Sequence, residues 1–199
     1  MGIKVDVEHF ATSGSATADF VIGRGGRGRA YIIVADGLWE AWEEVDCTIA
    51  DEHVDYRIIG RTPTYKYDRM EKVAKLVQEG ARRIGTKPDV RGPSGQGINP
   101  PCGALVTPIQ PISCVHPYFV DRPNPLMIRT VLRRIGVYSA DTFMVGDRMD
   151  TDMIPGTVVG MRTILVLSGV TAYQDVGAYA FRPDYVIEHA GEIPVEAVT

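Results

Sequence analysis

Apolar positions along the chain alternate between two spacings. Asp36 precedes Leu38, Ala41, Trp42 and Val45, an i, i+3, i+4, i+7 spacing that predicts a helix face. Asp68, with Glu71 three residues on, reads as a capping box for a second helix. Its apolar face is Met70, Val73, Ala74 and Val77, and Gly80 ends it. A third helix carries Ile128, Val131, Leu132 and Ile135 and stops at Gly136. Short apolar runs between them read as strands: Tyr31–Val34, Tyr56–Ile59, Tyr118–Val120, Thr142–Val145 and Thr163–Leu167. Strands alternating with helices predict an α/β fold with a mostly parallel sheet. The stretch 87–117 breaks the pattern. It holds seven prolines with four glycines between them, so it reads as loop, although Ala104–Val106 suits a short strand.

Composition narrows the class. The 199 residues are 45% hydrophobic and 23% charged, an ordinary globular balance. The formal net charge of −4 argues against nucleic acid as a partner, because phosphate contacts need clustered positive charge. No apolar run reaches the eighteen residues of a membrane span, and the N-terminus has no apolar signal core, so a cytoplasmic protein without a membrane partner is expected. Cys47, Cys102 and Cys114 form neither a disulfide framework nor a Cys-x-x-Cys zinc pair.

Chemistry concentrates in two segments. In Thr142–Asp152, TFMVGDRMDTD, a strand runs into Gly146-Asp147, with Asp150 and Asp152 close behind. Ligands gather beyond the carboxyl ends of parallel strands, and a hard cation takes one or two carboxylates there. The plainer reading is a helix N-terminus dressed with acids. In Tyr118–Arg129, YFVDRPNPLMIR, a strand ends at Asp121-Arg122 and Pro-Asn-Pro opens an amphipathic helix. Arg122 could hold a phosphoryl oxygen or offset the crowded carboxylates, or it could be a surface arginine before a helix.

Together, RPNP followed by strand-Gly-Asp-x-x-x-Thr-Asp resembles the haloacid dehalogenase (HAD) superfamily, in the branch of NagD-like and para-nitrophenyl-phosphatase-like enzymes. The resemblance runs through residues 119–171. It includes Ala11–Ala18 (ATSGSATA), Ala30–Val34 with Asp36-Gly37-Leu38, Gly80-Ala81-Arg82, Lys87-Pro88-Asp89 and Cys102–Leu105. It implies a Rossmann-like parallel core with an inserted α/β cap: 1–21 a remnant of the N-terminal core, 22–116 the cap, and 117–199 the C-terminal half of the core. It also implies Mg²⁺-dependent hydrolysis of small phosphate monoesters, such as a nucleotide or sugar phosphate, through an aspartyl-phosphate. By position, Asp147 and Asp152 match the metal-site acids, and Arg122 stands where the family usually has Lys. Lys87, Pro88 and Asp89 match the cap loop that approaches substrate, and Asn124 joins the substrate-binding set.

The family's nucleophile lies in an Asp-x-Asp-Gly motif, and the sequence contains none. The strand–Asp–Gly segment YIIVADG has Val34 where the first aspartate belongs, and Thr12 and Ser13 align after the family's second motif. The expectation is therefore a chain that begins inside the family pattern, with impaired catalysis and exposed sheet edges that make it aggregation-prone or partner-dependent. A homo-oligomer is one partner class this allows. The alternative is a non-catalytic fragment or descendant that binds a phosphorylated ligand or a protein through the cap. Pro155 falls where the helix after Asp152 should be in its first turns; it is tolerated there only if that helix starts late and is costly if interior. Gly23–Gly28 fits G-x-G-x-x-G, but a strand follows it where a dinucleotide site needs a helix. Trp39 and Trp42 read as helix packing, and Cys114 with His116 lacks a second ligand pair.

Overall fold

The structure is a computed structural model that describes residues 6, 9–23, 28–34, 42, 47–94, 97–113 and 116–193. It divides into two compact units, Met1–Asp121 and Arg122–Thr199. The expected helix over 36–45 lies outside the described residues apart from Trp42, which is buried. Residues 24–27, Trp39 and Cys114 also lie outside them.

The first unit opens with α1 (Ser13–Ile22). Thr12 caps it: its hydroxyl accepts the Ser15 N–H at 3.1 Å, and Ser15 Oγ accepts the Thr12 N–H at 3.0 Å. Five parallel strands follow in the order β2-β1-β3-β4-β7. They are β1 (Gly28–Ile33), β2 (Cys47–Ile49), β3 (Tyr56–Ile59), β4 (Arg82–Gly85) and β7 (Tyr118–Phe119). A separate antiparallel pair, β5 (Gly92–Ser94) and β6 (Gly97–Asn99), lies between β4 and β7 in sequence.

Register sorts this sheet's side chains by face. Ile32, Ile58 and Ile84 are successive register partners, and all are buried. On the other face Ile33 and Ile59 pack with Val73 of α2 (Tyr67–Gln78) and with Cys102, Leu105 and Val106 of α3 (Cys102–Val106). Ile109 completes that cluster, just before the short α4 (Gln110–Ser113).

The second unit holds a three-stranded parallel sheet, β10-β9-β8. The strands are β8 (Phe143–Gly146), β9 (Arg162–Val166) and β10 (Tyr185–Ile187). Ahead of it runs α5 (Pro125–Ile135), and between β8 and β9 runs α6 (Ile154–Val158). Met149, Met153, Leu165 and Val176 form the buried core.

Several sequence expectations need correction. Asp68 is not a cap. The helix starts at Tyr67 after Lys66, and Asp68 lies in the first turn, where the helix dipole favours an acid. Ala104–Val106 is helix rather than strand. On α5, Ile128 and Leu132 are buried, but Ile135 is exposed. The late start is what the structure has: residues Met149–Met153 form a π-turn, the α-helix starts only at Ile154, and Pro155 sits in its first turn, where it is tolerated.

Candidate active site

The site lies at the carboxyl end of β8, within the second unit. Asp147 follows that strand directly, and the loop from Gly146 to Met153 folds back on itself. The π-turn does this: the Asp152 N–H and the Met153 N–H both donate to Arg148 O, at 3.1 and 3.2 Å. The turn carries the Asp152 carboxylate back under the loop's first amides. Asp152 Oδ2 accepts the N–H of Asp147 at 3.2 Å and of Arg148 at 3.1 Å. Its other oxygen, Oδ1, pairs with Arg122 Nη1. Asp152 is only 4% exposed. Burial raises its pKa, and the Arg122 charge and the Arg148 amide pull it back down.

Arg122 opens the second unit, ahead of a cis Arg122–Pro123 peptide. The Asn124 Oδ1 accepts the Leu126 N–H at 3.0 Å, capping α5, and Pro125 takes the first helical position. Asn124 thus holds the helix that follows Arg122.

Asp147 is placed by the loop after β9. Its Oδ2 accepts the Val170 N–H at 2.9 Å, and its backbone carbonyl accepts the Thr171 N–H at 3.0 Å. The two loops meet closely at glycines. A Cβ at Gly169 would stand 2.6 Å from Asp147 Cγ, so only glycine lets the carboxylate lie there. Arg148 forks onto Asp150, with Nε to Oδ1 at 2.9 Å and Nη2 to Oδ2 at 2.7 Å, and this holds the Asp150 carboxyl below its usual value.

The acids differ in what they have left to offer. Asp152 already accepts Arg122 and two amides, whereas the described bonds to the Asp147 side chain amount to the single Val170 amide. A carboxylate has about four acceptor positions. Mg²⁺ takes one or two protein carboxylates and keeps several waters. The described residues contain no group of three or more His, Cys, Asp or Glu that could hold a metal by themselves. Asp147 as ligand, with Asp152 beneath it, fits that modest demand.

Lys87, Pro88 and Asp89 belong to the first unit, in the loop after β4. Lys87 Nζ lies 3.3 Å from Asp89 Oδ2, and Asp89 O accepts the Gly103 N–H at 3.0 Å. A Cβ at Gly103 would stand 2.6 Å from that same carbonyl. The loop is thus seated on the start of α3. Thr12, a tempting phosphate residue in sequence, spends its hydroxyl on capping α1. Sequence reasoning missed Thr171 and the Arg148–Asp150 fork. The signal for Thr171 was its place just beyond a neighbouring strand of the same parallel sheet.

A family model described as HAD-hydrolase-like matches residues 120–193. Ribonucleotide monophosphatase NagD of Escherichia coli K12 is 39% identical over 194 residues, which is 98% of this chain and 76% of that protein. Dihydroxyacetone phosphatase of Corynebacterium glutamicum is 36% identical over 192 residues, 96% of this chain and 70% of that protein. The solved structure of NagD from E. coli K-12 superposes with a TM-score of 0.91 at 38% identity, covering 98% of this chain and 76% of that one.

Fold, site and relatives together define a phosphatase-type hydrolase of the haloacid dehalogenase superfamily. Within it, this chain belongs to the NagD-like branch.

Proposed function

We propose that this chain carries the metal- and phosphate-holding part of a site for small phosphate monoesters, with nucleotide or sugar phosphates as the substrate class. The observation that carries this reading is the Asp147–Asp152–Arg122 arrangement at the end of β8. Asp147 ligates Mg²⁺, and Asp152 holds the loop and Arg122 in place. Bound Mg²⁺ neutralises charge on the phosphoryl oxygens. Arg122, held by Asp152, supplies the positive charge that steadies a phosphoryl oxygen. Residues 22–116 serve as the cap, and its loop Lys87, Pro88 and Asp89 selects the substrate, as the family resemblance implies. The names of the relatives support phosphorylated small molecules as the class: a ribonucleotide monophosphatase and a dihydroxyacetone phosphatase.

The sequence holds no Asp-x-Asp-Gly motif, so the 199 residues alone turn over slowly. Covalent phosphoryl transfer needs a carboxylate nucleophile, and without it most of the rate is lost. The test is the pure chain with Mg²⁺ and para-nitrophenyl phosphate, alongside a phosphate-binding titration. The expected result is Mg²⁺-dependent phosphate binding with little hydrolysis, and loss of binding on Asp147→Asn. Full phosphatase turnover would overturn the claim of impairment. Failure to bind both Mg²⁺ and phosphate would overturn the site.

A further inference from the structure

Thr171 stands outside every motif that marked the site, yet it touches the metal loop twice. Its N–H donates to Asp147 O at 3.0 Å, and its Oγ1 accepts the Met149 N–H at 3.3 Å. One residue of the β9 loop therefore grips the backbone on both sides of Arg148. Thr171 and Met149 are both buried, so water does not replace these bonds. The neighbouring Val170 N–H holds the Asp147 side chain itself. The aim of the Asp147 carboxylate thus depends on where residues 169–171 lie relative to 147–149, and the Thr171 side chain ties the two segments from the side of Arg148 opposite to Asp147's own bond.

We propose that Thr171 is a positioning residue for the metal site: its hydroxyl keeps the Asp147 carboxylate in the geometry that binds Mg²⁺. This rests on the reading of Asp147 as the metal ligand. The hydroxyl never meets the ion. It acts through the Met149 amide, as groups outside a ligand set commonly orient the ligands, and their loss costs about 10–100-fold in metal affinity. Threonine suits the task because its methyl packs while its oxygen accepts, and valine copies the shape without the acceptor.

The test compares three variants of the full chain, each titrated with MgCl₂ and followed by its thermal melting midpoint. Thr171→Val is expected to weaken apparent Mg²⁺ affinity by about tenfold, and Thr171→Ser, which keeps the oxygen, to restore it. Thr163→Val is the control. Thr163 is a buried threonine at the amino end of β9 whose hydroxyl bonds Asp184 at 2.9 Å, on the strand end away from the site. It is expected to lower the melting midpoint without changing the Mg²⁺ response. Equal Mg²⁺ affinity in wild type and Thr171→Val would overturn the inference. So would an equal loss in Thr163→Val, which would mark a general effect of destabilisation. A wild-type chain with no Mg²⁺ response would overturn the metal reading itself, and this inference with it.

Discussion

Gly146 and Asp152 share one small volume: a Cβ on Gly146 would stand 2.6 Å from the Asp152 carboxyl carbon. The absent side chain is what lets the π-turn fold back and place Asp152 under the amides of residues 147 and 148. Gly146→Ala is therefore expected to push Asp152 out of its seat. The cost is that of overpacking, about 1–3 kcal/mol. Thermal melting checks the stability, and the Mg²⁺-dependent shift checks the site. A variant with unchanged melting and unchanged Mg²⁺ response would show that the loop accommodates the methyl group.

Removing Arg122 tests the other side of Asp152. Arg122→Ala strips the partner from a carboxylate that is only 4% exposed, while the guanidinium itself is 37% exposed. Loss of a fully buried pair costs several kcal/mol, and solvent screening at the exposed arginine brings the expectation to about 1–3 kcal/mol. Phosphate binding should weaken by at least about tenfold, or about 1.4 kcal/mol. Arg122→Lys retains the charge but loses the fork, so it should keep more of the stability than of the phosphate affinity. Calorimetric titration with inorganic phosphate separates the two effects.

How much of this was legible in the sequence depends on which forces set each piece. Helix α5 was readable because Asn124, Pro125 and Gly136 are local signals, and Gly136 takes the left-handed conformation at φ 71°. The site loop was readable because Gly146, Asp147 and Asp152 lie within seven residues. Helix α1 was not, because its residues are small and weakly patterned and its capping box uses Ser15 where Glu or Gln is usual. Strand β4 begins Arg82-Arg83, which hides a strand that lies inside its sheet, between β3 and β7. Ala104–Val106 looked like a strand. It is instead a helix whose first turn, at Gly103, packs so closely on the Pro88–Asp89 backbone that a Cβ there would clash, a contact no local pattern encodes. Thr171 was silent for the same reason: its partners lie more than twenty residues away.

Acid should weaken the second unit through Asp184. Its Oδ2 accepts the Thr163 N–H at 2.7 Å and the Thr163 hydroxyl at 2.9 Å. These bonds lower its pKa below the ordinary 3.8. A depressed pKa gives stability that is present above the unfolded value and lost as pH falls through the folded one. Asp152 has the opposite sign: its pKa is raised, so its contribution is present below 3.8 and fades as pH rises. Asp184→Asn should therefore melt below wild type at pH 6, with the gap closing below pH 3.8. A gap that stays constant across that range would mean that the charge on Asp184 contributes nothing.

Arg57 offers a stabilising change within the first unit. It lies on β3, is 1% exposed, and its Nε and Nη1 are buried without hydrogen-bond partners among the described residues. Its register partner on β4 is Arg83, so two cations stand side by side on one face of the sheet. Burial, and then repulsion from Arg83, pull the Arg57 pKa down to about 10. The group still carries its charge at neutral pH. A buried cation without a paired anion costs more than an apolar side chain of similar size, and replacing such groups is neutral or stabilising by about 1–4 kcal/mol. Arg57→Leu is thus expected to raise the melting midpoint, by about 2–4 °C per kcal/mol in a chain of this size. Since Arg57 lies in the first unit, the Mg²⁺ response of the Asp147 loop should be unchanged. A lower melting midpoint for Arg57→Leu would show that the guanidinium has a favourable partner after all.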